Sequence, residues 1–332
     1  MEIRSITESE AREAQAAGRI LPLVPLALDM CSCFTQEEIH KNFYATLERG
    51  YKPIMELFGK HLNQTCSIVG SGPSIKRSYT ELTGDVFSVN SAIWFLLEKG
   101  IVPKYQMIWD AHEVCAKYAV PHPDVIYLIA SRCHPSVFEK LKDCNVYVWH
   151  AGGDHDIIDV LELPDVQKKM GGVEPLINGG SAGVTRGLFV VNALGYNNIH
   201  FFGGDSSYEG DETHIMGSLM KEKDMMCSMG DGTEGCPATW FRTTPEWVQQ
   251  VNEYRVMYGM FAIKKGVKME VHGGGMLGET HRRLVGKRAL LGDEKLMQEI
   301  TGQEADQAKH NAAASGLTES INPQPLEEDI KK

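Results

Sequence analysis

The stretch TCSIVGSGPSIKRSYTELTGDVFSVN, residues 65–90, constrains the fold more than any other part of the chain. A short run rich in β-branched residues, 67–69, leads directly into a glycine turn at 70–74, and a second apolar run, 86–89, follows about one short helix later. This order predicts a strand, a glycine turn, the first turn of a helix and a second strand.

The glycine turn has residue types suited to an anion. Gly70 and Gly72 can take positive φ and leave the backbone open to a ligand, Pro73 suits a first helical turn, and Ser71 or Ser74 can cap it. Unpaired N–H groups and the helix dipole at such a start favour a phosphate. An ordinary strand-to-helix turn that binds nothing explains the residues equally well. The pattern is neither G-x-G-x-x-G nor a P-loop, so it supports neither dinucleotide nor Walker-type binding.

Beyond residue 65, short apolar runs alternate with helical segments, which is typical of a parallel sheet covered by helices. The predicted fold is therefore α/β, with a Rossmann-like, mostly parallel open sheet flanked by helices. We expect strands near 66–70, 85–89, 105–109, 125–129, 145–149 and 198–202, and helices near 73–82, 91–100, 111–118, 134–142, 154–161 and 181–194.

The flanking segments complete the predicted organisation. A capping box, Thr35 to Glu38, opens a helix, and 51–62 is expected to continue as helix. Residues 240–265 are predicted to be one helix whose aromatic stripe packs in the core, 267–271 a last strand, and 284–300 a terminal helix. The expected units are an N-terminal extension with helices (1–63), a Rossmann-like domain (64–278) with a lid or loop at 206–237, a C-terminal helix (279–301) and a disordered tail (302–332).

Composition excludes some classes of protein. Hydrophobic residues make up 42% and charged residues 23%, as in soluble globular proteins. A net charge of −11 gives no indication of nucleic-acid binding, although a local basic groove stays open. No run approaches the ~18 apolar residues of a membrane span. The eight scattered cysteines, of which only Cys31 and Cys33 lie close together, are weak evidence for zinc and favour a reducing, cytoplasmic compartment.

Polar residues follow several predicted strands. Asn90 follows the second strand, Asp110 the third, and Asp205 the sixth. Ligands of such sheets bind beyond the carboxyl ends of the strands, so these three residues form a candidate constellation. Each residue taken alone is more often a turn former or a helix cap.

Two further segments extend the candidate site. A second glycine turn, 179–183, opens a long helix, where it can meet another phosphate or carboxylate or simply allow close helix packing. Tyr208 and His214 lie in the long polar segment after Asp205 and are candidate proton donors or phosphate contacts. A lone histidine in a loop is more often merely exposed.

Several segments together resemble one family. They are IVGSGPSI, VNSAIWFLLEKGIVPKYQMIWD, NGGSAGVTRGLFVVNALGYNNIHFFGGDSSYEGDETH and TTPEWVQQVNEYRVMYGMFAIKKGVKMEVHGGGMLG. They look like the core of the MptE-like domain, a family that includes archaeal 6-hydroxymethylpterin diphosphokinases and the bacterial Maf proteins that glycosylate flagellin. The first and third segments are also similar to bacterial sialyltransferases that use CMP-sialic acid. The resemblance covers 64–278 and implies a nucleotide ligand.

The resemblance also implies site residues. Those expected to bind the nucleotide are Gly70, Ser71, Gly72, Ser74, Asn90, Gly180, Ser181 and Gly183. Those expected to take part in catalysis are Asp205, His214, Asp110 and Tyr208.

Three functions remain open from the sequence. In a glycosyltransferase the donor is a nucleotide-activated sugar, and His214 or Asp205 deprotonates a hydroxyl of a glycan, a protein or a small molecule. In a diphosphokinase Asp110 and Asp205 hold Mg²⁺ on ATP while a pterin-like alcohol attacks. The third is a non-catalytic nucleotide-binding or interaction protein. The oligomeric state, including a homo-oligomer, stays open as well.

Overall fold

The computed structural model describes residues 3–6, 34–152, 157–215, 225–230 and 238–302, and the fold is given for these. In chain order the strands are β1 (Ile3–Ile6), β2 (Lys52–Pro53), β3 (Thr65–Val69), β4 (Asp85–Val89), β5 (Tyr105–Ile108), β6 (Ile126–Ala130), β7 (Asn145–Ala151), β8 (Leu176–Ile177), β9 (Asn198–Phe202), β10 (Met225–Met229), β11 (Thr239–Thr243) and β12 (Lys268–Val271).

Helices cover the connections between the strands. They are α1 (Gln36–Arg49), α2 (Ile75–Ser78), α3 (Ala92–Glu98), α4 (Pro135–Lys140), α5 (Ile158–Leu161), α6 (Pro164–Met170), α7 (Gly183–Leu194), α8 (Pro245–Met257), α9 (Gly275–Leu291) and α10 (293–302). Single 3₁₀ turns occupy Ile54–Leu57, Tyr79–Glu81 and Glu113–Lys117, and a π-helical turn, Tyr258–Lys264, continues α8.

A nine-stranded sheet organises the molecule, with the order β12-β9-β3-β4-β5-β6-β7-β2 and with β8 paired to β7. All of its pairings are parallel. From β3 the chain proceeds to β7 on one side, and it then returns to place β9 and β12 on the other side of β3. The order therefore changes direction between β3 and β9, which is where open α/β sheets form a ligand crevice.

The central strands are buried on both faces, as a parallel sheet covered by helices requires. Every residue of β5 is buried, and β6 is buried apart from Ile126 at its start. The predicted α/β class and the mostly parallel open sheet are confirmed, and all six predicted strands are present. Local apolar runs identified them because buried parallel strands are hydrophobic almost without interruption.

The helix α1 begins at the predicted capping box. The Glu38 N–H donates to the Thr35 hydroxyl at 3.2 Å, and the Thr35 N–H donates to the Glu38 carboxylate at 2.9 Å. Further along, the Asn42 side-chain amide donates to the carbonyls of Ala111 and Arg132, which follow β5 and β6. The helix is thereby held against the carboxyl edge of the sheet.

Several predicted helices are wrong or differ in kind. Residues 51–62 contain β2 and a 3₁₀ turn, and 111–118 holds only the 3₁₀ turn Glu113–Lys117. The segment 240–265 opens with β11, because Pro245 with Thr244 as N-cap fixes the helix start there. The expected terminal helix 284–300 is two helices, since α9 starts at Gly275 and Gly292, with φ 79°, ends it. Of 154–161, residues 154–156 lie outside the described part.

A second, smaller sheet was not predicted. It is antiparallel, in the order β1-β10-β11. The sequence of β10, MMCSM, has few strong strand formers, and it lies in the segment expected to be one loop, 206–237. That segment therefore contains a strand; its residues 216–224 and 231–237, and the expected tail from 303 onward, lie outside the described residues. Among those described, no helix has the length and hydropathy needed to cross a bilayer.

Two glycines have room for a side chain but differ in backbone conformation, so substituting each tests the effect of conformation without a change in packing. A Cβ atom at Gly286, inside α9, or at Gly59 meets nothing within 4 Å, but Gly59 has φ +67°. We predict that Gly286→Ala raises the free energy of unfolding by about 0.5–1 kcal/mol. Gly59→Ala is expected to lower it by about 1 kcal/mol, because an L-residue is strained there. Urea denaturation measures both changes, and equal effects of the two would contradict this account.

Candidate functional site

A cavity of about 560 Å³, including its open mouth, lies at the carboxyl edge of β3, β4 and β9. Seven predicted site residues line it: Gly70, Ser71, Gly72, Asn90, Gly183, Asp205 and His214. Ser74, Asp110, Gly180, Ser181 and Tyr208 are not among its lining residues. The structure thus brings together three of the chain segments that the sequence singled out.

The floor of the cavity is formed by two glycine turns in close contact. The Gly70 N–H donates to the Phe202 carbonyl and the Gly72 N–H to the Gly203 carbonyl, both at 2.8 Å. A Cβ atom on Gly70 would lie 2.6 Å from the Gly203 oxygen, and one on Gly203, where φ is +58°, would lie 2.4 Å from the Gly70 oxygen. Only glycine permits this approach.

These contacts limit what the first glycine turn offers a phosphate. The N–H groups of Gly70 and Gly72 are already bonded, and the Ser74 N–H donates to the Asp205 carboxylate at 2.8 Å. The helix that follows, α2, has only four residues. A ligand at this turn therefore meets hydroxyls rather than a row of free N–H groups. The Ser71 hydroxyl, 2.7 Å from that of Ser91, faces this space.

Asp205 lines the cavity and also connects the chain segments around it. The residue is 6% exposed, and burial raises the pKa of its carboxyl group above the ordinary aspartate value, against the opposing effect of hydrogen bonding from Ser74. The Asp205 carbonyl accepts the Leu277 N–H at 3.2 Å. A Cβ atom on Gly275 would collide with that carbonyl, and one on Gly72 with the Asp205 carboxylate. Asp205 thus joins the turn after β3 to the start of α9.

The second glycine turn also meets an internal carboxylate. The N–H and the hydroxyl of Ser181 both donate to Glu253 of α8, each at 2.8 Å. Ser181 is therefore bonded away from the cavity. Within the described part of the chain, the N–H groups of Gly183 and Val184, at the start of α7, have no hydrogen-bond acceptor. Both residues line the cavity, so they leave an anion-compatible position open there.

His214 lies at the cavity wall beside aromatic residues. Burial lowers its pKa, so the imidazole is neutral at pH 7, and Nδ1 lies 3.1 Å from the Thr213 hydroxyl. The Trp247 ring centre is 6.2 Å from that of His214. Tyr208 packs edge-on against Trp247 and beneath the Arg242 guanidinium, whose carbon lies 4.4 Å from the ring centre. Tyr208 therefore packs behind Trp247 and does not line the cavity.

Two lining residues other than glycine have positive φ: Asn90 at 47° and Ser206 at 53°. The Ser206 hydroxyl donates to Gln250 at 3.0 Å, and the Thr243 hydroxyl donates to the Ser206 carbonyl at 2.8 Å. The Asn90 side-chain oxygen is buried and has no hydrogen-bond donor among the described residues. Strained backbone held by surrounding bonds is typical of functional sites.

Asp110 does not join this group. Its carboxylate accepts the His112 N–H at 3.1 Å, and two strands, β3 and β4, separate β5 from β9. At ~4.8 Å between neighbouring strands, the ends of β5 and β9 lie roughly 14 Å apart. A Mg²⁺ ion holds its ligands at about 2.1 Å. Asp110 thus lies away from the cavity that Asp205 lines, and this arrangement does not support the shared magnesium ion that the diphosphokinase interpretation expected.

Some lining residues were missed by sequence reasoning. Trp247 was assigned to the core stripe, but it faces the cavity, and Gln250 stands one helical turn further along α8. Val251, Tyr254, Tyr258 and Phe261 of that stripe are buried as predicted. The spacing between 247 and 250 was the available signal, since residues three apart share a helix face.

Comparisons with known proteins agree with this architecture. A search of curated proteins found no match. Among solved structures, a Maf glycosyltransferase from Magnetospirillum magneticum AMB-1 is similar, with a TM-score of 0.51 and 16% identity; the alignment covers 87% of this chain and 46% of that one. This chain thus spans about half the length of that protein, and the likeness concerns the fold.

The sequence also matches a family profile. The family is described as 6-hydroxymethylpterin diphosphokinase MptE-like, and the match covers residues 38–211, more than half of the chain. It includes the glycine turn after β3, the start of α7 and Asp205. The chain belongs to the MptE-like family.

Proposed function

We propose that this protein is a nucleotide-dependent transferase that moves a sugar from a nucleotide-activated donor to a hydroxyl group. One observation carries the proposal. The first glycine turn, Asn90, the start of α7, Asp205 and His214 line a single cavity at the point where the strand order changes direction. Nucleotides bind at this position in open α/β sheets.

The donor phosphate has one favoured position. The open N–H groups of Gly183 and Val184 stand at the positive end of α7, a helix of twelve residues, and can stabilise charge that develops on a departing phosphate. The hydroxyl of Ser71, a lining residue, remains for the rest of the nucleotide. The face of Trp247 offers a stacking surface for a base.

The acceptor hydroxyl needs a base, and His214 has the appropriate protonation state. In the tautomer whose Nδ1–H donates to the Thr213 hydroxyl, the neutral imidazole presents a lone pair on Nε2. Its lowered pKa keeps that lone pair free at pH 7. The Asp205 carboxylate accepts the Ser74 N–H, so Asp205 is better placed to hold the first glycine turn and to keep a negative charge beside the acceptor hydroxyl than to act as the base.

Diphosphate transfer is the second candidate, because the matching family profile carries the name of a diphosphokinase. That reaction needs Mg²⁺ on the ATP phosphates, and Mg²⁺ is held by hard oxygen ligands. Among the described lining residues Asp205 is the one carboxylate, and it already accepts a hydrogen bond. Sugar transfer, in which protein N–H groups can stabilise the leaving phosphate, fits these residues better.

Nucleotide binding is the first prediction. CMP, UDP or ATP at 100 times its Kd should stabilise the folded protein by about 2.7 kcal/mol and raise Tm.

Glu253→Gln keeps an acceptor for Ser181 but removes a negative charge near the start of α7. We expect this variant to bind its nucleotide about two- to fivefold more tightly.

Glu162→Gln, an exposed change outside the cavity, controls for net charge. Thermal melts with nucleotide, with and without EDTA, separate the two reactions. A nucleotide-induced rise in Tm that EDTA abolishes favours diphosphate transfer, because that reaction needs Mg²⁺. If none of the three nucleotides raises the Tm of the protein, nucleotide binding is refuted.

The second prediction concerns the base. His214→Gln should lower kcat by about 10²- to 10⁴-fold while keeping the nucleotide-induced rise in Tm. In the wild type, the acid limb of the pH–rate profile should lie below the ordinary histidine pKa of about 6.5, since burial lowers the pKa of His214. His122→Gln, outside the cavity, should leave the profile unchanged. A wild-type limb at or above pH 6.5 would exclude His214 as the base.

The third prediction separates charge from hydrogen bonding at Asp205. A pKa raised in the folded state means that the charged carboxylate opposes folding at neutral pH and does so less as the group protonates in acid. Asp205→Asn should therefore be more stable than the wild type at pH 7, and the difference should vanish below about pH 3.9. Asp205→Ala should lose about 1–3 kcal/mol, because the Ser74 N–H loses its acceptor.

Both Asp205 variants should lose turnover. Urea denaturation across pH measures the stability changes, and a donor-consumption assay measures turnover. Full turnover in Asp205→Asn would show that the carboxylate has no role in the reaction.

A further inference from the structure

Two histidines and a glutamate meet on the edge of the main sheet, apart from the cavity described above. His200 lies in β9, and Glu270 lies directly beside it in β12, since the parallel register pairs these two residues. His272 follows β12, and its backbone N–H donates to the Phe201 carbonyl at 2.8 Å. Backbone pairing therefore fixes all three positions.

Their ligand atoms are already close together. His200 Nδ1 lies 2.9 Å from His272 Nε2 and 3.5 Å from a Glu270 carboxylate oxygen, and His272 Nε2 lies 3.8 Å from that oxygen. Tetrahedral zinc with bonds of about 2.1 Å has ligand-to-ligand distances of roughly 3.4 Å. The three distances bracket that value. In the described part of the chain, no other three histidine, cysteine or acidic side chains gather in this way.

Neighbouring residues orient the His272 ring. Its other nitrogen, Nδ1, lies 2.9 Å from the carboxylate of Glu81, and its ring stacks on Phe202 with 4.2 Å between centres. A carboxylate on the outer nitrogen of a histidine ligand is the usual arrangement at metal sites, because it fixes the tautomer and the ring orientation. The Glu81 contact thus directs Nε2 toward His200 and Glu270.

We propose that His200, Glu270 and His272 bind one divalent transition-metal ion of the Zn²⁺ type, with Glu81 as the outer carboxylate. Imidazole nitrogens favour zinc and its neighbours over Mg²⁺ and Ca²⁺, which prefer oxygen. The Glu270 side chain is 60% exposed, so water can reach the fourth position. This proposal does not depend on the proposed transferase function.

The ion would bind at the edge of the sheet, on the strand β9 that leads to the cavity residues Gly203 and Gly204. It ties the edge strand β12 to β9 and, through Glu81, to the 3₁₀ turn after α2. The next residue, Gly273, packs so tightly on Ser74 that a Cβ atom would lie 2.4 Å from the Ser74 hydroxyl. We expect metal binding to stabilise the folded state, because the unfolded chain has no such preformed site.

Cobalt(II) titration of the tag-free, metal-stripped full chain tests the proposal. We expect one equivalent to bind saturably with visible d–d absorption of tetrahedral intensity, and Zn²⁺ to displace it. His272→Gln or Glu270→Gln should weaken binding at least 100-fold, and Glu81→Gln should weaken it about 10- to 100-fold. The exposed Glu270 side chain makes Glu270→Gln the safer variant for folding, and its melting curve without metal should match that of the wild type.

Two controls identify where the ion binds. His122→Gln, whose histidine lies outside the cluster, should bind cobalt as the wild type does. The double variant Cys31→Ser/Cys33→Ser removes the closely spaced thiols, and it should bind cobalt as the wild type does. The cobalt spectrum of the wild type should show no thiolate-to-cobalt charge-transfer band. Absence of saturable cobalt absorption, or unchanged binding in Glu270→Gln and His272→Gln, would overturn the proposal and leave the cluster a hydrogen-bonded network.

Discussion

The cavity depends on the contact between the glycine turns that follow β3 and β9. Their backbones continue the parallel pairing past the strand ends, through the bonds from Gly70 to Phe202 and from Gly72 to Gly203. Side chains on Gly70 or Gly203 would force the turns apart. The strand order changes direction here, and such a point is where open α/β sheets form a ligand crevice.

Internal carboxylates set the electrostatics of this crevice. Asp205 accepts from the turn that precedes α2, and Glu253 accepts from the turn that precedes α7. Each bond fixes a glycine-rich backbone. The Asp205 carboxylate also places negative charge in the wall of the cavity, and that of Glu253 places it near the start of α7. The open N–H groups of Gly183 and Val184 are what remains for a phosphate. The site is therefore preorganised, and its attraction for anions is limited to one short segment.

Sequence patterns predicted the sheet well because its signals are local. The apolar runs, the glycine turns and the strand-end positions of Asn90 and Asp205 all follow from neighbouring residues. Which strand ends meet is a nonlocal property. Asp110 and Asp205 looked equivalent along the chain, yet the strand order separates them. The partners of Ser74 and Ser181 lie 131 and 72 residues away, so their bonded N–H groups could not be foreseen.

The histidine cluster shows how much the register of an edge strand can determine. In β12, Met269 packs inward while Lys268 and Glu270 are exposed, as suits a strand that must not pair with another chain. The parallel register places Glu270 against His200, and a shift of one residue would turn Glu270 to the opposite face and separate the two. The same pairing carries the chain on to His272 and Gly273. The edge strand thus positions the cluster and, through the contact of Gly273 with Ser74, the helix start after the first glycine turn.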